Sequence, residues 1–378
     1  FKGEVELTKE LKFLIEGKVK RKIYVLQGDD EPDMNNRGGS LRIDHSQGFG
    51  GVGMGAIVER LQGENYDITG LTFKPEVGKK AGPGLVQAPE NPTTKRKQIP
   101  EDCHTLIVAG VSKALTNEQI DAIAQHVDRG RKLLVFLDVF TNKEFTQLED
   151  HGMDVLLRRF SIEMPAEFPL HEVRERATDP TQLDALPPNE STNPLPRQFL
   201  SDLIYMYRTG RPVVPSKTPG RYKAETILQL DSREWPVILE KNVSALKDPF
   251  GHMVGLQKDR MRFNRSIVEQ PVSMAVAVTD SNGDKPCAVV FGDTEFITNP
   301  EFLRGDRKSS VVAYSFVVSS LEWLAEREGT GALPKQIGTF QLPASVDRTA
   351  GRMIHLPFVV MSLFIFGMGV CIWIIRRR

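Results

Sequence analysis

The strongest constraint on this chain is an uncharged, apolar stretch near its end, which covers residues 356–375 and runs from Leu356 to Ile375. A helix of this length rises about 1.5 Å per residue and is about 30 Å long, the thickness of the hydrocarbon core of a bilayer. Trp373 lies near one end, and aromatic side chains are favoured at the membrane–water interface. A buried core helix is the alternative, but soluble helices are rarely apolar on every face over about five turns. The stretch therefore predicts one transmembrane helix that anchors the chain in a lipid bilayer.

The charges around this stretch favour one orientation. Three arginines follow it as a basic tail, and two others, Arg348 and Arg352, precede it; the tail consists of Arg376, Arg377 and Arg378. Because cytoplasmic flanks carry the excess of positive charge, this pattern favours a cytoplasmic C-terminus and a body outside the cytoplasm. The chain begins with Phe1, so we expect a further segment upstream of it.

Composition excludes some classes of protein. The 378 residues are enough for one or two domains ahead of the anchor. Lys and Arg together number 49, as do Asp and Glu, so the net charge is zero. A nucleic-acid-binding protein would carry a basic excess, and we therefore expect no nucleic-acid partner. The three cysteines do not make a disulfide framework.

The clearest local pattern is a strand–helix–strand unit. The buried strand Thr105–Ala109 is followed by an amphipathic helix over residues 117–127, which Thr116 caps. Residues 132–137 form the next strand, and such short connections predict a right-handed parallel crossover. The same alternation occurs earlier, with a strand at 22–26, a helix at 56–61 and a strand at 66–73. Together these elements predict an α/β fold with a doubly wound, mostly parallel sheet.

The second half of the chain contains a different strand pattern. Residues 272–279 and 287–291 indicate an antiparallel hairpin with an Asn-Gly turn. Prolines predict an extended loop over residues 178–197, and residues 240–270 show no clear periodicity. The resulting division is 1–140 for the first half of the α/β domain, 141–270 for an irregular α+β insertion, 271–328 for the returning part of the α/β domain, 329–355 for a linker, 356–375 for the transmembrane helix and 376–378 for the tail.

Several short motifs occur in a set order along the body. They are Phe1-Lys2-Gly3-Glu4; Tyr24-Val25-Leu26-Gln27-Gly28-Asp29-Asp30-Glu31; Ile99-Pro100-Glu101-Asp102 with the strand–helix–strand unit; Gly292-Asp293-Thr294-Glu295-Phe296 with Asn299; and Leu321-Glu322-Trp323-Leu324. With the terminal apolar stretch, this order resembles the C-terminal portion of GldG-like auxiliary components of ABC-type transport systems, a family first associated with gliding motility. Asp29 and Asp30 depart from it, because the family usually has histidine and glycine in that turn.

The resemblance implies a location and partners. It implies a protein of the bacterial inner membrane with a periplasmic body, in complex with a separately encoded ABC permease and ATPase. The related domain of intraflagellar-transport proteins is likewise a binding and scaffold module.

Acidic residues follow three of the predicted strands and form a candidate ligand rim: Asp29, Asp30, Glu31, Asp138, Asp293 and Glu295. Ligands of doubly wound sheets bind beyond the carboxyl ends of the strands. If these strands are parallel neighbours, we expect the carboxylates to converge on a cation or a sugar. The alternative is that each acid caps a helix or tightens a turn.

Motifs for catalysis and cofactor binding do not stand out in the sequence. The glycine-rich residues 48–55 lack the Gly-Lys-Ser/Thr ending of a P-loop, so a mobile loop is expected there. The histidines lack the HExxH spacing, and no G-x-S-x-G elbow marks a nucleophilic serine. We therefore expect that the protein is not an enzyme and that it has no catalytic residue, metal site or cofactor.

Three hypotheses follow from the sequence. The first is a non-catalytic, membrane-anchored accessory subunit that binds or scaffolds an ABC-type transport or envelope-associated complex. The second is a module that binds carbohydrate or another envelope ligand through the acidic strand ends. The third is a metal-dependent hydrolase.

Overall fold

The computed structural model describes most of the body of the chain. The described residues are 14, 20–28, 30–38, 49–64, 66–73, 93–95, 98–174, 179–188, 191, 193–195, 205–218, 220–230, 236–302, 307–326, 373 and 377. The chain divides into two compact units, Phe1–Gly331 and Ala332–Arg378. Within the described residues, no helix combines the length and the apolar character needed to cross a bilayer. The helix expected at 356–375 lies outside these residues, apart from Trp373, and it stays a prediction.

A ten-stranded mixed sheet forms the centre of the first unit. Its spatial order is β11 (Tyr205–Arg208), β10 (Gln182–Leu186), β13 (Tyr222–Leu230), β15 (Val272–Asp280), β16 (Lys285–Phe291), β5 (Lys132–Phe136), β4 (Thr105–Ala109), β1 (Arg21–Leu26), β2 (Tyr66–Thr72) and β3 (Thr93–Lys95). The strands from β16 to β3 are parallel to one another. The other four run antiparallel to their neighbours.

Helices cover both faces of this sheet. They are α1 (Gly55–Gln62), α2 (Asn117–Asp128), α3 (Met153–Arg158), α6 (Asn299–Phe302) and α7 (Arg307–Leu324). Two further helices, α4 (Pro249–Lys258) and α5 (Arg260–Ser266), have a separate core. Leu134 and Phe136 of β5 belong to the same core cluster as α1 and α7, whereas Leu133 and Val135 belong to the cluster of α2 and α3. Successive side chains of a strand point to opposite faces, so a parallel strand buried on both faces is apolar at every position. The doubly wound arrangement is thereby confirmed.

The crossover helix α2 begins where the sequence predicts it. The Oγ1 atom of Thr116 accepts a hydrogen bond from the backbone N–H of Gln119, and the Oε1 atom of Gln119 accepts one from the backbone N–H of Thr116. This capping box satisfies N–H groups that have no partner within the helix.

The antiparallel half of the sheet is larger than the single hairpin that the sequence predicts. The β15–β16 hairpin is confirmed, and β13, β10 and β11 extend the sheet beyond it. The prediction of an extended loop over residues 178–197 is wrong in part, because β10 lies within this range. Leu183 and Ala185 of β10 are buried, but a strand this short between prolines has too weak a pattern to be read alone. Its partner β13 lies about 40 residues further along the chain.

A small lobe lies beyond the carboxyl end of β5. It consists of the antiparallel pair β9 (Phe168–His171) and β14 (Val237–Glu240), the 3-10 helix Val243–Lys247 and helices α4 and α5. They share a separate core cluster with Val139, which follows β5 directly. Asn242, Asp248 and Asp259 cap its three helices. Two short two-residue pairings join β6 (Phe140–Thr141) with β7 (Leu148–Glu149), and β8 (Ile162–Glu163) with β12 (Val214–Pro215). Isolated bridges join Asp33 with Gly53 and Ile238 with Ile267.

Candidate functional site

The candidate site lies at the carboxyl ends of β5 and β16. These two strands are parallel neighbours, with Phe136 paired to Phe291. The two rings stack with centroids 5.3 Å apart, and the N–H of Leu137 donates to the carbonyl of Phe291 at 2.8 Å. Asp138 and Asp293, each two residues further along, therefore lie at the same end of the two strands.

Both aspartates are buried and brace the turns that follow their strands. Asp138 is 3% exposed and Asp293 is 1% exposed. The Oδ1 atom of Asp138 accepts from the N–H of Val139 at 2.7 Å, and the Oδ1 atom of Asp293 accepts from the N–H of Glu295 at 2.6 Å. The hydroxyl of Thr294 donates to the carbonyl of Leu137 at 2.9 Å and ties the two turns together. These bonds are those expected of acids that tighten turns.

The electrostatics of this cluster favour a protonated carboxyl at Asp138. Burial raises the pKa of Asp138 well above its usual range, and the nearby Asp293 and Glu295 raise it further. Backbone N–H bonds from Val139 and Thr294 act in the opposite direction. Like charges in a desolvated site disfavour ionisation, so this cluster holds a proton at a pH where an exposed aspartate has lost it.

The structure brings together three of the predicted rim residues: Asp138, Asp293 and Glu295. Asp30 instead forms an ion pair with Lys113, which belongs to the segment after β4. Glu31 is buried, with 8% of its surface exposed. Asp29 lies outside the described residues. Of the described acids, Glu31, Asp138 and Asp293 are buried and do not line an open rim; the convergence of all six acids stays a prediction.

Arg211 completes this region, and the sequence did not reveal it. It is 3% exposed; its Nη1 atom donates to the carbonyl of Glu149 at 2.9 Å, and its backbone N–H donates to the carbonyl of Gly292 at 2.6 Å. Burial lowers the pKa of its guanidinium, while Asp150 and Asp154 raise it. Arg211 stands in a short segment without periodicity, and no sequence signal marks it as buried.

Arg211 and Asp138 line the same narrow cavity, together with Glu149 and Asp150. The cavity has a volume of about 10 Å³, room for about one water molecule. The Nε atom of Arg211 is buried and has no hydrogen-bond partner among the described residues. A buried N–H normally has a partner, and one water in this cavity would supply it.

Asn299 connects the motif after β16 to the glycine-rich loop before α1. It is 2% exposed, and its Nδ2 atom donates to the carbonyls of Asn36 and Gly38 at 2.7 and 2.8 Å. Its Oδ1 atom accepts from the N–H of Ala56 at 3.0 Å, and its own N–H donates to the carbonyl of Gly53 at 2.6 Å. These hydrogen bonds fix this part of the loop against the rest of the domain, so the role of Asn299 is structural.

Possible metal ligands and cysteine thiols are the remaining reactive groups considered among the described residues. Among them, no group of three or more His, Cys, Asp or Glu side chains is placed to hold a metal ion. Cys103 and Cys287 are free and buried. Burial raises the pKa of the Cys103 thiol to about 12 and that of the Cys287 thiol to about 11, so neither forms the reactive thiolate readily.

Two of the predicted anchor residues are described in the second unit. Trp373 is 59% exposed, and the guanidinium carbon of Arg377 lies 4.8 Å from the centroid of its ring. This spacing is typical of a cation–π contact between positions i and i+4 of a helix. Leu356, Ile375, Arg376 and Arg378 lie outside the described residues.

Comparison with known proteins finds a matching family model and similar solved structures. The sequence model of the family described as "ABC-type uncharacterized transport system" matches residues 20–202. The solved structure titled "mmIFT52 N-terminal domain" is similar at 12% identity and a TM-score of 0.47, over 81% of this chain and 98% of that chain; a likeness at this level carries no functional argument. No curated protein matches the chain. The resemblance to auxiliary components of ABC-type transport systems is thus confirmed over residues 20–202.

Proposed function

We propose that this protein is a membrane-anchored, non-catalytic accessory subunit that binds and scaffolds the other members of an ABC-type transport or envelope-associated complex. The family match over residues 20–202 carries this proposal. The body lies outside the cytoplasm, and the apolar stretch at 356–375 is both the anchor and a docking element for permease helices. Asp138 and Asp293 are buried and accept hydrogen bonds that stabilise turns. This structural role supports a scaffold function.

Purification from native membranes tests the assembly. We expect the tagged full chain to copurify with a permease and an ATPase after detergent extraction. Recovery of the chain as a monodisperse monomer, with neither subunit present, would contradict the proposal. A matched variant with the residues of 356–375 in shuffled order keeps the apolar composition. It separates membrane insertion, which should persist, from docking, which should weaken.

Orientation needs a separate measurement. Single cysteines placed at exposed positions such as Lys143 or Asp284 should react with a membrane-impermeant maleimide in intact spheroplasts. Cys103 and Cys287 are buried and give little background, and the third native cysteine, Cys371, is replaced by serine in every variant. Labelling only after the membrane is broken would place the body in the cytoplasm.

Binding of an envelope carbohydrate is the second candidate. The location of the acids at the carboxyl ends of parallel strands favours it, but Asp138 and Asp293 are almost fully buried. A polymer would first have to displace the surrounding turns. Glycan binding that is lost in Asp138→Asn and retained in Asp284→Asn would favour this candidate over the scaffold.

A further inference from the structure

A second cavity lies at the amino ends of the parallel strands β4 and β5, opposite the carboxyl ends that hold the acidic cluster. Ile99 and Pro100 from the segment before β4 form one side, the end of α2 forms another, and Arg131 just before β5 closes it. Its volume is about 240 Å³. This is slightly below the usual range of small-molecule sites, so a ligand here would be compact.

The walls combine an apolar floor with side-chain donors. Ile99, Pro100 and Ala122 supply the apolar part. Gln125 in the last turn of α2 and Arg129 directly after this helix supply polar groups. An apolar pocket with a few convergent polar groups is the usual composition of a ligand site. The cavity therefore has both a surface to bury a small molecule and groups to orient it.

Two arginines stand at this cavity with donor capacity to spare. The Nη2 atom of Arg131 donates to the backbone carbonyl of Glu101 at 2.8 Å, which holds its guanidinium in place. A guanidinium has five N–H donors, and this bond uses one of them. The side chain of Arg129 is exposed and makes no ion pair or hydrogen bond to any described residue.

The charge around the buried wall of the cavity is positive. His126 forms this wall; it is 5% exposed, and its Nε2 atom lies 3.7 Å from the Sγ atom of Cys103. Burial, together with the charges of Arg131 and Arg129, lowers the pKa of His126 to about 4. The imidazole is thus neutral at physiological pH. Glu101, the acidic residue of the lining, is exposed to solvent, and the two guanidiniums outweigh its charge.

We propose that this cavity is a binding site for a compact oxyanion, namely the phosphate or carboxylate group of a small molecule. The planar fork of a guanidinium matches the oxygen atoms of both groups and forms short, charge-assisted hydrogen bonds with them. The apolar floor would cover the remainder of the ligand. This site is distinct from the acidic cluster and does not depend on the accessory role proposed above.

Calorimetric titration of the purified full chain in detergent tests the site. Inorganic phosphate and citrate are the two oxyanion probes, and glucose is the uncharged probe. We expect saturable binding of at least one oxyanion and none of glucose. Binding of phosphate alone or of citrate alone assigns the group that the site prefers.

The variants make the assignment specific. Arg129→Gln removes no described hydrogen bond or ion pair and should weaken binding about tenfold, the effect of losing one charge-assisted bond. Arg265→Gln is the matched control, because it makes the same charge change at an exposed position of α5; it should bind like the unmodified chain. The proposal is wrong if neither oxyanion binds saturably, if Arg129→Gln binds normally, or if the control loses affinity to the same extent.

Discussion

Asp138 and Asp293 each lie two residues beyond the paired residues Phe136 and Phe291, and so the two carboxyl groups meet at one edge of the sheet. The parallel register brings together two acids that are separated by more than a hundred residues in the chain. Both are buried, which makes this pair a structural element whose protonation is linked to the stability of the fold.

Asp138→Asn should stabilise the protein at neutral pH. Burial and the charges of Asp293 and Glu295 raise the pKa of Asp138. The folded state therefore keeps a proton that the unfolded state releases, and stability falls as pH rises from the ordinary aspartate range through the raised pKa. The amide cannot ionise, yet its oxygen can still accept from Val139.

Urea unfolding of the full chain between pH 5 and about pH 8 measures this effect. The free energy of unfolding of the variant should rise by more than about 0.5 kcal/mol, the size typical of surface changes. It should also depend less on pH than that of the unmodified protein. Asp284→Asn, at an exposed turn, is the control and should change neither the free energy of unfolding nor its pH dependence. A profile as steep as that of the unmodified protein would show that another group is responsible.

Gly292→Ala should destabilise the fold because no space exists for a methyl group. A Cβ atom at this position would lie close to the backbone carbonyl oxygen of Arg211 and 3.1 Å from that of Met274. Backbone must then move, at a cost of about 1–3 kcal/mol. A shift in the urea midpoint measures it.

Gly255→Ala provides the opposite case. Gly255 lies within α4, and a Cβ atom there would meet nothing within 4 Å. Alanine is the better helix former, so the free energy of unfolding of this variant should rise by about 0.5–1 kcal/mol. Equal effects of the two substitutions would mean that the close approach at Gly292 does not exist.

Glu326→Gln should destabilise the protein only when the glutamate is ionised. The Nζ atom of Lys132 donates to the Oε1 atom of Glu326 at 2.7 Å and to the carbonyl of Pro286 at 2.8 Å. This hydrogen bond, opposed in part by desolvation, lowers the pKa of Glu326. The stabilisation is thus present above the ordinary glutamate pKa and is lost as pH falls through the lowered one.

The Glu326 carboxylate is 45% exposed, so solvent screening limits the loss to less than about 1 kcal/mol at neutral pH. Urea unfolding at neutral and acidic pH should show this difference narrowing as the pH is lowered. Glu144→Gln, at an exposed position, serves as control. A difference that grows toward acidic pH would contradict the assignment.

Thr116→Ala should cost about 1 kcal/mol, the usual loss for a helix cap. The Oγ1 atom of Thr116 accepts from the N–H of Gln119 at 3.3 Å at the start of α2. Thr116→Ser keeps a hydroxyl there and should retain most of the stability. If serine and alanine are equally destabilising in thermal or urea unfolding, the methyl group of the threonine matters more than its hydroxyl.

The parallel half of the fold was predictable from the sequence because its signals are local. Apolar runs such as Thr105–Ala109 and the cap at Thr116 depend on neighbours a few residues away. The convergence of Asp138, Asp293 and Glu295 was also expected from the rule that parallel strands present their carboxyl ends at one edge. Their burial was not, because it depends on the turns and the lobe that cover them.

The sequence by itself determined the alternation of strands and helices, and it predicts the apolar stretch at 356–375 as an anchor. Only the tertiary structure decided that β10 and β13 extend the sheet, that Arg211 is buried beside Asp138, and that Asn299 holds the loop before α1. Each of these depends on contacts between segments far apart in the chain. Such contacts leave no periodic pattern in either segment, since the free energy that selects them arises only when both are in place.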